Sequence, residues 1–166
     1  MNCTIISDGS ELKGGCRNEH EKKWLIIKRQ LQEVIWQLYC DGYDNFYVNC
    51  EYGIPLWSAE IISALKMYNI INLNLVIPYE EQSIHWDESV RDRYFGIHVI
   101  ADTVRFACTK YESRCYKIAD EIMIDECSLL VVFSGQNKNL HAEKYASERN
   151  VTIRKIITMS QMSPAS

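Results

Sequence analysis

The chain has 166 residues, 47% of them hydrophobic, which describes one domain with enough apolar side chain to bury a core. A formal charge of −4, with Lys and Arg scattered along the chain, offers no footprint for nucleic-acid phosphates, so no nucleic-acid partner is expected. No apolar run of signal-peptide length opens the chain, and none approaches the roughly 20 residues of a membrane span; a cytoplasmic protein without a membrane partner is expected.

The first β-rich run, "CTIIS" at 3–7, is followed by polar residues and then by Trp24, Ile27, Leu31, Val34, Ile35 and Leu38 at helical spacing. Gly42 stands where that helix should stop. A second strand, "NFYVNC" at 45–50, leads through Gly53 into a helix that starts near Pro55, with Trp57, Ile61, Ala64, Leu65 and Tyr68 as its apolar stripe. The third strand, "LNLVIP" at 73–78, precedes a short turn and a helix to about Ile100, capped by Asp87 or Ser83. "TVRFAC" at 103–108 and "SLLVVF" at 128–133 read as strands, with a helix in "YESRCYKIADEIMID" between them. A fifth helix in "LHAEKYASERN" and a sixth strand, "TIRKII" at 152–157, complete a domain over 1–158, and 159–166 reads as a flexible tail.

Strand and helix alternate throughout, and the strands are apolar with little alternation. That pattern belongs to an α/β fold: an open, doubly wound, mainly parallel, Rossmann-like sheet of about six strands with helices on both faces. In such sheets ligands bind beyond the strand C-termini, so the loops of interest are 7–15, 49–55, 78–86 and 134–139. Seven cysteines without a C-x-x-C pair fit neither a disulfide framework nor a structural zinc site, and most read as small core hydrophobes; no metal and no cofactor is expected.

Individual residues admit two readings each. Gly53 either lets backbone approach a ligand or supplies an unusual φ before Pro55. Glu60, at the edge of the second helix's stripe, could accept hydrogen bonds from a ribose or base, or be an acidic residue favoured near a helix start. Gln82 and Trp86 could recognise and stack on a base, or cap a turn and plug a helix against the sheet. Glu51 would repel an anion brought to the helix start at Gly53. No G-x-S-x-G elbow, H-E-x-x-H or spaced Cys/His cluster is present, so no catalytic residue is assigned.

Three stretches, "YVNCEYGIPLWSAEII", "LNLVIPYEEQSIHWDESVRDRYFGI" and "ESRCYKIADEIMIDECSLLVVFSG", together resemble the YpsA-like branch of the SLOG superfamily, Rossmann-like domains related to DprA/Smf and the Lonely Guy proteins. The most specific parts are G-x-x-L-W-x-A-E from Gly53 to Glu60 and I-P-x-x-x-Q-x-x-x-W from Ile77 to Trp86. The family's T-G-H-R is replaced by "SDGS", its glycine and acidic residue in the second loop by Asn49 and Pro55, and only Gly135 remains of the glycine pair after the fifth strand. The resemblance implies binding or sensing of a nucleotide-derived small molecule. The candidate ligand-binding residues are Ser7, Gly9, Asn49, Glu51, Gly53, Trp57, Glu60, Gln82, Trp86, Ser134 and Gly135. The alternatives are a phosphoribohydrolase-like enzyme, with Glu60 and Glu143 retained but the glycine loop lost, and an interaction protein with a vestigial pocket. Aromatic-rich helices make a homodimer an expected assembly.

Overall fold

The computed structural model describes residues 1–136 and 140–159, so the end of the loop at 134–139 and all of the expected tail but Met159 lie outside the described residues. Strands β1 (Asn2–Ser7), β2 (Asn45–Val48), β3 (Asn72–Tyr79), β4 (Thr103–Cys108), β5 (Leu129–Ser134) and β6 (Thr152–Ile157) alternate with helices α1 (Lys22–Cys40), α2 (Ile54–Lys66), α3 (Glu88–Ile100), α4 (Cys115–Asp125) and α5 (His141–Glu148). All six strands are parallel, in the order β4-β3-β2-β1-β5-β6. Among the described residues no helix is long and apolar enough to cross a membrane.

The two faces of the sheet follow from the period of two along each strand. Cys3 and Ile5 of β1, with Leu129, Val131 and Phe133 of β5, turn to the layer of α1, α2 and α3. Ile6, Leu130 and Val132 turn the other way, toward α4 and α5. Every residue of β5 is buried, which is why "LLVVF" at 129–133 reads as one unbroken apolar run. Each fully buried Ile or Leu, such as Ile27, Leu31 and Ile35 of α1, stabilises the fold by about 1.5–3 kcal/mol.

The stripe expected on α2 is displaced. Ile54, Leu56, Trp57, Ser58, Ala59, Ile62 and Ser63 are buried, whereas Tyr68 lies beyond the helix and is exposed. The cause is position: α2 packs against α1 on one flank, α3 on the other and β1, β2 and β3 beneath, so most of its surface is covered. Small Ser58 and Ala59, both fully buried, are compatible with that close packing.

Connections from β1 and β5 run in opposite directions, β1 toward β2 and β5 toward β6. The topological switch point therefore lies between the C-terminal ends of β1 and β5.

Candidate functional site

At the switch point Ser7, Gly9, Ser134 and Gly135 come together, and the protein's own groups satisfy one another. Ser134 Oγ donates to Asp8 Oδ2 at 2.6 Å, Gly135 N–H to Ser10 Oγ at 2.8 Å, and Gly9 N–H to Ser7 Oγ at 3.0 Å. Burial pushes the Asp8 carboxyl upward, but hydrogen bonds from Ser10 and Ser134 outweigh it and hold the group below the usual range. A cleft of about 270 Å³ remains beside it, lined by Asp8, Gly9, Ser10, Leu12, Lys13, Gln136 and Leu140.

The start of α2 is already occupied by an anion. Glu11, only 6% exposed, accepts the Ile54 N–H on Oε1 at 3.1 Å and the Ser7 hydroxyl on Oε2 at 2.6 Å. Pro55 has no N–H, and the next two donors, Leu56 and Trp57, bond to the carbonyls of Glu51 and Gly53 at 3.0 Å each. No first-turn donor is left for an external phosphate. Gly53 itself has φ 107 and ψ −141, and a Cβ there would stand 2.8 Å from Glu11 Oε1 and 3.0 Å from Leu12 Cδ1. Gly53 supplies the unusual φ, and the group that approaches its backbone is the protein's own Glu11.

Beyond Glu11 the edge of the sheet stays acidic. Cys50 takes the left-handed conformation, φ 54, and Asn49 Oδ1 accepts the Glu51 N–H at 2.9 Å, fixing the turn that presents Glu51. Glu51 is exposed, yet so much protein surrounds its carboxylate that desolvation, aided by the charge of Glu11, raises it to about 7. A solvent-open carboxylate in such surroundings lies in a recess. Behind it is Asp120 of α4, pushed to about 8 by desolvation and by the charges of Glu51 and Glu121, against a lowering contribution from Asn49. Gln82, 4% exposed, donates Nε2 to the Asn49 carbonyl at 3.2 Å. Tyr116 stands beside Gln82 and within the field of Glu51, its phenol raised chiefly by burial. Gln82 Oε1 and Asp120 Oδ1 are both buried without a hydrogen-bond partner among the described residues. Across Tyr79, whose ring centre lies 6.3 Å from that of Tyr116, opens a cleft of about 560 Å³ between the ends of β3 and β4.

Trp57, Glu60 and Trp86 lie apart from this recess, among α1, α2, α3 and the loop before α1. Arg93 of α3 clamps Glu60 through Nε at 2.6 Å and Nη2 at 2.9 Å, and also binds Glu19, which accepts the Trp57 indole N–H. Burial raises Glu19, but the Arg93 hydrogen bond and the charges of Arg93 and Lys28 more than reverse this and lower it. Trp86 meets Tyr94 at 5.3 Å and Tyr52 at 5.9 Å, and Tyr52 meets Trp57 at 6.2 Å, so the indole of Trp86 lies in an aromatic layer between the helices. Arg93→Ala would leave Glu60 and Glu19 side by side without their cation, and is expected to cost about 1–3 kcal/mol in urea unfolding. A change below 0.5 kcal/mol, the usual range for a surface substitution, would contradict that role.

Glu11 and Asp120 were not singled out from sequence. Glu11 sits in the aperiodic polar segment "SDGSELKGG", 43 residues from its partner Ile54. Asp120 follows Ala119 on the stripe of Cys115, Ala119 and Met123, and a carboxylate next to a buried stripe was the available signal.

The chain matches the YspA SLOG family over residues 10–162. It is 28% identical over 115 residues to a UPF0398 protein of Halalkalibacterium halodurans, a match covering 68% of this chain and 61% of that protein. It is 29% identical over 101 residues to a UPF0398 protein of Bacillus pumilus, covering 60% and 54%. It is also 27% identical over 115 residues to one of Bacillus cereus, covering 68% and 62%. The matched regions span between half and two thirds of these relatives' lengths. With an all-parallel open sheet and a family match that spans nearly the whole domain, the chain belongs to the YpsA-like SLOG family.

Proposed function

We propose that this chain binds a nucleotide-derived small molecule at the C-terminal edge of its sheet, in the cytoplasm, as a binding or sensing domain and not as a catalyst. The observation that carries the reading is the cleft of about 560 Å³ at the ends of β3 and β4, walled by Tyr79 and Tyr111 beside the turn that holds Gln82. Its volume suits a nucleoside, and its tyrosines, 5.2 Å apart in an edge-to-face pair, offer a surface for a planar base.

The hydrolase alternative loses support from the two carboxylates that suggested it. Glu60 is held by Arg93 on the α1–α3 side of the sheet. Glu143 lies on the opposite side, where it accepts the Leu140 N–H at 2.7 Å and pairs with Lys155 at 3.2 Å. Two groups separated by the sheet do not act on one glycosidic bond. Exposing the purified protein to a metabolite extract, washing it and analysing what is retained by mass spectrometry tests the proposal. An intact nucleoside or nucleotide derivative near one per chain is expected; an empty protein, or free base released from added nucleotides, would overturn it.

A further inference from the structure

We infer that the recess of Glu51, Asp120 and Gln82 selects a planar ligand edge carrying adjacent N–H donors, the chemistry shared by the Watson–Crick edge of guanine and by a guanidinium group. The inference rests on the small-molecule reading above and specifies its ligand. It starts from an imbalance. Above about pH 8, where both carboxyls are ionised, Glu51 is an acceptor open to solvent, and the two unpartnered buried atoms close to it, Gln82 Oε1 and Asp120 Oδ1, are acceptors as well. A ligand that brings donors relieves this deficit, and one that brings acceptors deepens it.

Charge points the same way. The charges that raise Glu51 and Asp120 are Glu11 from the turn after β1, Glu51 itself, and Glu121 of α4, and the lowering contribution to Asp120 comes from a hydrogen bond of Asn49, not from a Lys or Arg. The phenol of Tyr116 also lies within the field of Glu51, and that of Tyr79 lies beside Tyr116. A phosphate would enter an acidic field with no helix-end donor to meet it, whereas a donor edge or an organic cation is attracted.

The chemistry of the oxygens argues against a divalent cation. Ca²⁺ takes about 6–8 oxygen ligands and Mg²⁺ about six in a near-ideal octahedron. Both oxygens of Asn49 are engaged, Oδ1 by the Glu51 N–H and the carbonyl by Gln82 Nε2. The Asn49 side chain also hydrogen-bonds the Asp120 carboxyl, so the Glu51 carboxylate, Asp120 Oδ1 and Gln82 Oε1 remain, a set better matched to the two or three N–H groups of a flat N–C–N edge, with the ring pair of Tyr116 and Tyr79 nearby.

Calorimetry on the full chain at pH 8.5 tests this with guanosine, inosine, uridine and agmatine, and with Mg²⁺ and Ca²⁺. Guanosine should bind about tenfold or more tightly than inosine, which lacks the 2-amino group, and agmatine should bind at the same site. Glu51→Gln and Asp120→Asn should each weaken guanosine about tenfold, and Gln82→Met should weaken it less. Thermal melts verify that each variant is folded, and the ligand comparison in the parent protein stands without them. Equal affinity for guanosine, inosine and uridine would overturn the inference and leave nucleoside binding standing. Agmatine binding that is lost in Glu51→Gln, with no nucleoside bound, would uphold the donor-edge inference and overturn the nucleotide-derived reading. Divalent-ion binding lost in Glu51→Gln, without organic ligand, or no binding at all, would overturn both.

Discussion

Replacing Gly53 by alanine is expected to destabilise the protein by about 3 kcal/mol or more in urea or guanidinium unfolding, a large loss for a single methyl group. Two causes add. The backbone at φ 107 and ψ −141 lies in a region that side-chain-bearing residues rarely enter, which costs about 1–3 kcal/mol. The new Cβ would also stand 2.8 Å from Glu11 Oε1, so either the carboxylate or the helix start must move. Displacing Glu11 exposes the Ile54 N–H, and loss of a cap costs about 0.5–2 kcal/mol more. Glu11→Gln should recover part of the loss in the double variant, because the neutral amide binds that N–H less tightly and gives way more readily. A stable Gly53→Ala protein would mean that Glu11 does not hold the start of α2.

Asp120→Asn is expected to act in the opposite direction and to depend on pH. The folded protein raises this carboxyl from 3.8 to about 8, so the native state keeps a proton that the unfolded chain has released between those values. Stability contributed by this group therefore falls as pH rises from about 4 to about 8 and stays low above it. The variant cannot ionise. It should match its parent near pH 4 and exceed it by about 1–2 kcal/mol at pH 9, after allowing for relaxation and water around the recess. Thermal melts of both proteins across that range would show it, and an offset independent of pH would contradict it.

The fold was legible because it depends on local pattern. "LLVVF" at 129–133 is apolar at every position since β5 is covered on both faces, and the stripe of α1 repeats because that helix has one buried side. The burial of α2 was less legible, since its covered surface is fixed by the neighbours α1 and α3 and not by its own period. Glu60 lies at the edge of the buried side of its helix as its spacing implied, but its partner Arg93 is 33 residues away and belongs to another helix. Glu11 is the sharpest case. A carboxylate in a polar loop carries no sign that it will cap a helix 43 residues later, although Gly53 before Pro55 marked the place where something had to come close.

What the edge of the sheet accepts is tested most directly by calorimetric titration of guanosine against guanosine 5′-monophosphate at one pH and ionic strength. A phosphate about 5 Å from one carboxylate is repelled by roughly 3 kcal/mol at an effective dielectric near 20, more than the ~1 kcal/mol a helix end returns. Here that end is already bound to Glu11. The nucleoside should bind at least as tightly as its phosphate; a monophosphate that binds tenfold or more tightly than the nucleoside would contradict the account.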